Sequence, residues 1–267
     1  MEIAERLYRF FGETDAAVID TNCMQEFFDW MKTPAARKDH KDIGLSAKTI
    51  NNTYVVLSEF FEDNVGKYFI SNPCRKTKRG KAIVPEARVL EQDEQEVFIR
   101  EDLEERRLGR AILIVPFTGL RWGEILALEI SDFDFKKKRI YVSKDIARIK
   151  TYAATGQKTK LIKQDTPKSN TSNRWIPMNE EVEALAQAQF TTLASENNLN
   201  PLKLAFPSKN GTYTDSRTLQ KRVDEVSKRC EAKGVHVHSL RHTFTTRLDE
   251  NKVPLTVIQS LLGHASI

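Results

Sequence analysis

The stretch "SNPCRKTKRGKAIVPEAR" (71–88) limits what this chain can fold into more than any other feature. It holds two prolines, a glycine and six cations, with no apolar repeat of helical or strand period. Each proline removes a backbone donor and fixes φ, so no helix or inner strand runs through the whole segment. The sequence therefore reads as two units, with a boundary near residues 75–86.

Patterns before the boundary are helical. In "SAKTINNTYVVLSEFFEDNV", Ser46 stands where an N-cap belongs, and Ile50, Tyr54, Leu57, Phe60 and Phe61 follow at helical spacing. Cys23–Met31 is also amphipathic, with Phe27, Phe28 and Met31 to one side. Beyond the boundary, residues 90–130 read as two or three helices, the middle one broken near Pro116 and Gly119. "KKKRIYVSKDIARI" has the alternation of a strand, and "KLIKQDTPKSNTSNRWIPM" reads as a hairpin with "KSNTSN" as its polar turn. Helical patterning returns at Glu180–Leu193, Arg217–Ala232, His238–Glu250 and Pro254–Leu262. The expected fold class is mainly α with a small antiparallel β-sheet.

With 267 residues and 40% apolar side chains, the chain can bury two cores. Its longest apolar run, "AILIVPF", is far too short for a membrane span, and the N-terminal sequence has no signal-peptide pattern. Cys23, Cys74 and Cys230 are odd in number and scattered, which fits neither a disulfide framework nor a zinc knuckle. A reducing cytoplasm is the expected location. The net charge of +5 says little by itself, but its distribution is uneven. Arg148, Lys150, Lys158, Lys160, Lys163, Lys168 and Arg174 lie between Ile146 and Trp175, with Asp165 the only acid. Arg75–Lys81 forms a second basic run. Either run alone suits a solvated face as well as a nucleic-acid contact.

Three short motifs carry chemistry. In "TGLRWGEILAL", Gly119 makes a turn, and Arg121 and Glu124 stand three apart on one helical face, so the carboxylate can fix the guanidinium. In "HVHSLRHTFTTRL", His238 and Arg241 share a face, the pairing of a proton handler with an anion clamp. His238 and His242 are four apart, but a zinc protease needs Glu after the first histidine, where Ser239 stands. In "PLTVIQSLLGHAS", an apolar helix ends at Gly263 and His264 follows at once. Singly, these are an ordinary ion pair, a helix face and a structural histidine. Together they supply two arginines, two histidines and nearby lysines, a constellation that suits phosphate. No Gly-rich phosphate loop or metal cluster accompanies them, so nucleotide and two-metal chemistry are disfavoured.

In order and separation, these motifs resemble those of the tyrosine recombinase (phage integrase) family. "TGLRWGEILAL" is similar to its first arginine motif, "HSLRHTFTTRL" to its His-x-x-Arg motif, and "LLGHAS" to its final histidine motif. "TPKSNTSNRWIPM" resembles the hairpin that carries its catalytic lysine, and "LSAKTINNTYVVLSEFFEDNVGKYFISNPCRK" its helical core-binding domain. The resemblance implies a helical, SAM-like DNA-binding domain over residues 1–80 and an α+β catalytic domain over residues 86–267. Arg121 and Arg241 would hold the scissile phosphate, and Lys168 would protonate the leaving 5′-oxygen. His238 would serve the nucleophilic tyrosine, His264 would bond a non-bridging oxygen, and Glu124 would support the arginines. DNA contacts are expected from Lys48, Thr49, Asn52, Arg75, Lys76, Lys78, Arg79, Lys158, Lys160 and Arg174.

The family's tyrosine lies a short way beyond the last histidine. Here the tyrosines at 8, 54, 68, 141, 152 and 213 all precede His238, and none matches that motif. The expectation is a chain truncated before its nucleophile, with cleavage by this piece impaired. The function implied is site-specific recombination, as the integrase of a mobile element, on double-stranded DNA. A homo-tetramer on synapsed DNA is expected for the full protein, with no cofactor, metal or nucleotide. Two other readings stand: a non-cleaving protein that occupies recombination sites, and a type IB topoisomerase.

Overall fold

A computed structural model describes residues 2–39, 41–81, 88–94, 96–97, 108–151, 159–164, 173–196, 199–232 and 234–263. The chain divides into two units, Met1–Glu86 and Ala87–Ile267.

The first unit is helical among its described residues: α1 (Glu2–Phe11), α2 (Thr21–Trp30) and α3 (Ala47–Asp63), with two short 3-10 turns. Asp20 caps α2 by accepting from the Cys23 N–H at 2.9 Å. Ser46 caps α3 through the Thr49 N–H at 3.3 Å, as the sequence implies. Helix α1 was not among the expected elements, although Ile3, Leu7, Phe10 and Phe11 recur at helical spacing and pack on the core. That core joins Met24, Phe27, Phe28 and Met31 of α2 and its C-cap to Ile50, Leu57 and Phe61 of α3. The basic run Arg75–Lys81 lies against this unit. Gln25 and Lys78 exchange two hydrogen bonds, and the Arg79 guanidinium sits 3.5 Å from the Tyr54 ring centroid.

The second unit combines helices α4 (Leu108–Thr118), α5 (Trp122–Ala127), α6 (Glu180–Ser195), α7 (Ser216–Arg229), α8 (Val237–Glu250) and α9 (Leu255–Leu262) with two small antiparallel sheets. Strands β1 (Phe133–Asp134), β2 (Arg139–Val142) and β5 (Arg174–Pro177) form one sheet in the order β1-β2-β5. Strands β3 (Asp145–Lys150) and β4 (Thr159–Gln164) form the other. The fold class is thus mainly α with small antiparallel sheets.

The strand pairing corrects the sequence reading. "KKKRIYVSKDIARI" is two strands in different sheets, and "KLIKQ" does not pair with "RWIP". Instead β3 and β4 make a hairpin, in register from Asp145↔Gln164 to Lys150↔Thr159, while β5 returns to pair with β2. Ile140, Val142 and Ile176 enter the main core through the β2–β5 pairing. Pairing β5 with β4 instead would not set Ile176 beside Ile140 in this way.

Helix α4 is almost wholly buried, and Pro116 is accommodated in its last turn. It stops at Gly119, whose φ of +63° is the left-handed end of the helix. A Cβ on Gly119 would run into the Phe244 ring, so the turn into α5 requires glycine for both reasons. Among the described residues no helix is long and apolar enough to cross a membrane.

Candidate functional site

The Gly119 turn places Arg121 as the N-cap of α5, with Glu124 at the third helical position. Glu124 accepts from the Arg121 backbone N–H at 2.8 Å and from its Nη1 at 2.9 Å. The Arg121 side chain remains 39% exposed while that of Glu124 is 7% exposed. Arg121 therefore faces outward from a buried anchor.

Arg241 enters from α8 and is buried. Its Nη1 donates to the Gly119 carbonyl and its Nη2 to the Leu262 carbonyl at 2.8 Å. The same guanidinium thus ties the turn before Arg121 to the last turn of α9. Phe244, Ile258 and Leu262 pack beneath this junction, with Leu248, Val253 and Leu261 around them. Helix α9 ends in a left-handed Gly263, the residue before His264 in the sequence.

A third arginine completes the group. Arg174 alternates inward with Ile176 on β5, while Trp175 and Pro177 face out. It donates to Glu124 through two parallel bonds of 3.0 and 2.9 Å, and its Nε donates to the Leu261 carbonyl at 2.6 Å. Arg174, expected among the DNA contacts, is 6% exposed at its side chain. The physical reason is the carboxylate: burying Glu124 without a full counter-charge would cost several kcal/mol, on the order of 3–5.

The electrostatics follow from this crowding. Burial raises the Glu124 carboxyl, but the Arg174 hydrogen bonds and charge, then those of Arg121, outweigh it and hold the group below its ordinary value. Arg241 is lowered to about 10, by burial first and then by the Arg121 charge. Asp145 of β3 is half-buried, and its carboxylate lies where a Cβ on Gly123 would have to go. Burial and then the Glu124 charge hold Asp145 above its ordinary value. Sequence reasoning missed Asp145; the small Gly123 beside Arg121 was the one available signal.

His238 sits in the first turn of α8 with an exposed ring. Partial desolvation, then the charges of His242, Arg241 and Arg121, lower its pKa, so the imidazole is neutral near pH 7. Ser239 bonds the His236 N–H at 3.0 Å and is buried, a helix-capping role at the position where a zinc protease needs Glu. Among the described residues no group of three or more His, Cys, Asp or Glu side chains converges.

The remaining expected residues are dispersed. Lys48 and Asn52 are exposed on α3, whereas the Thr49 hydroxyl lies 3.0 Å from the capping Ser46 hydroxyl. Lys76, Lys78 and Arg79 are exposed, and Arg75 pairs with Glu62 at 2.6 Å. Lys160 is exposed on β4, while Lys163 bonds Glu129 at 3.3 Å and Arg148 pairs with Asp215. Lys158, Lys168 and His264 lie outside the described residues.

The chain is 30% identical over 242 residues to a "Tyrosine recombinase XerC-like" protein of Caldanaerobacter subterraneus, covering 84% of this chain and 61% of that protein. It is 27% identical over 241 residues to the ICEBs1 integrase of Bacillus subtilis, covering 86% and 62% respectively. The chain therefore spans about three fifths of the length of these two relatives. A solved structure of the Tn1549 transposon integrase, in complex with transposon right end DNA, matches with a TM-score of 0.77 at 25% identity, over 99% of this chain and 85% of that one. Residues 88–267, which hold all three motifs, match the model of the phage integrase family, and the chain belongs to that family.

Proposed function

We propose that this chain is the core of a site-specific DNA recombinase that cuts and rejoins strands through a 3′-phosphotyrosine intermediate. The observation that carries this reading is a charge imbalance. The guanidinium groups of Arg121, Arg174 and Arg241 outnumber the carboxylates beside them, buried Glu124 and half-buried Asp145, and Arg241 is lowered to about 10 by burial and its cationic neighbours. A phosphodiester beside Arg121 and Arg241 supplies the missing negative charge, and the added charge of a pentavalent transition state is held more strongly still.

In that state Arg121 and Arg241 hold the two non-bridging oxygens and His264 bonds one of them. Neutral His238 takes the proton of the attacking tyrosine as its oxygen bonds to phosphorus. The bond from phosphorus to the 5′-oxygen breaks, and Lys168 protonates that oxygen. One phosphoester replaces another, so the exchange needs no nucleotide or metal. Lys48, Asn52, Lys76, Lys78, Arg79 and Lys160 carry exposed positions suited to the DNA backbone. The integrase of a mobile element, acting as a tetramer on synapsed DNA in the cytoplasm, is the setting that fits. The DNA-bound Tn1549 integrase supports the choice of substrate.

The test is a denaturing gel. The chain extended through the family's tyrosine segment is incubated with a duplex spanning the joined ends of its genetic element. A detergent-stable protein–DNA adduct is expected; DNA binding without any adduct contradicts the cleavage reading.

A further inference from the structure

Arg174 belongs to none of the three motifs, yet it contacts two of them. On one side its two parallel bonds hold the Glu124 carboxylate, which in turn holds the backbone and guanidinium of Arg121. On the other, its Nε bonds the Leu261 carbonyl, and a Cβ on Gly263 would lie 2.7 Å from its Nη1. The Gly263 turn is thus shaped around this guanidinium, and His264 is the next residue in the chain. Strand β5 packs against α9, so the bridge is braced by backbone on both sides.

We propose that Arg174 is a positioning residue: one buried guanidinium fixes the Arg121 end of the phosphate clamp and the turn leading to His264, so that both ends of the site are set together. This rests on the phosphate-clamp reading above. It assigns no contact with DNA to Arg174. Arg241 makes a parallel link from the Gly119 carbonyl to the Leu262 carbonyl, and the two arginines brace successive carbonyls at the end of α9.

Lysine cannot replace this arrangement. A single ammonium lacks the planar fork that bonds both Glu124 oxygens while reaching the Leu261 carbonyl. An apolar side chain removes the charge as well, leaving Glu124 facing Arg121 on its own helix, Arg241 from α8 and Asp145 from β3. Burial would then push the Glu124 carboxyl upward. Protonated Glu124 would no longer hold Arg121 by charge, so the defect would deepen in acid and ease in base. A purely structural role gives no such pH dependence.

The experiment compares wild type, Arg174→Lys and Arg174→Met in two measurements. The first is the rate of adduct formation by the extended chain on the joined-end duplex, from about pH 6 to about pH 9, the span over which buried carboxylates titrate. Arg174→Lys is expected to lose at least about tenfold with its duplex affinity within about threefold of wild type, as for an interaction made only in the transition state. Arg174→Met is expected to lose about a hundredfold at neutral pH and to recover part of it as pH rises. The second measurement is amide hydrogen exchange, which is expected to quicken together at 119–124 and at 261–263 in Arg174→Lys. Wild-type adduct rates in Arg174→Lys, or quickened exchange in only one segment, overturn the proposal. So does a pH-independent loss in a folded Arg174→Met. If Arg174→Met does not fold, the lysine variant decides. If wild type forms no adduct, the recombinase reading fails, and exchange alone decides whether Arg174 couples the two segments.

Discussion

Replacing Gly119 by alanine adds one methyl group at the point where the first motif is aimed. Two costs can be worked separately. At φ +63° an L-residue with a Cβ loses about 1–2 kcal/mol relative to the right-handed region. The new Cβ would also meet Cδ1 and Cε1 of Phe244 and lie 3.0 Å from Cδ2 of Leu262, side chains of the small cluster that seats α9. Overpacking of that kind costs about 1–3 kcal/mol. The sum, roughly 2–5 kcal/mol, is a large part of a typical domain's stability of about 5–15 kcal/mol. For a unit of this size it corresponds to a fall in Tm of roughly 4–20 °C. Gly234 provides the control within the same unit. Its φ is +75° and nothing lies within 4 Å of a Cβ there, so Gly234→Ala should show the backbone cost alone. Calorimetric melting of both variants separates the terms. Because the Gly119 carbonyl accepts from Arg241, Gly119→Ala should also slow adduct formation beyond what unfolding explains. Gly119→Ala melting no lower than Gly234→Ala refutes the steric reasoning.

Three other outcomes follow from the charges. Glu124 is held below its ordinary 4.5, so its stabilising contribution is present above that value and lost as pH falls through the lower folded-state value. Glu124→Gln should therefore flatten the acid side of the stability–pH curve, and an unchanged slope in urea titrations would count against the buried pair. His238 is lowered as well, so the acid limb of the second-order cleavage profile should lie below the ordinary histidine value of 6.5; a limb above it contradicts a neutral proton acceptor. Duplex affinity should fall steeply with salt, and Lys76→Ala, Lys78→Ala and Lys160→Ala should each reduce the log–log slope by about 1, whereas an unaltered slope removes that lysine from the interface.

What could be read in the sequence was whatever depends on local chemistry. Ser46, three residues before Thr49, gives the start of α3, and Gly119 gives the turn before Arg121, because caps and left-handed turns are settled by a few neighbouring atoms. The pattern of α1 was also present, in Ile3, Leu7, Phe10 and Phe11. Strand pairing was not legible. Neither "KLIKQ" nor "RWIP" names its partner strand, which is decided by which face the core buries, a non-local quantity. Arg174 falls between these cases. In a run rich in lysine it reads as surface, yet the two-residue period of "RWIP" puts it on the same side as Ile176, which is in the core. That inward arginine is intelligible only with Glu124, fifty positions earlier, as its partner.

The central claim is that Arg121, aimed outward from a buried anchor, holds the scissile phosphate. Its exposure means that truncation should cost little stability. The direct test is the rate of detergent-stable adduct formation by Arg121→Ala, measured beside wild type in the extended chain on the joined-end duplex. The account predicts a folded variant that still binds the duplex and forms no adduct. Adduct formation at the wild-type rate would contradict it.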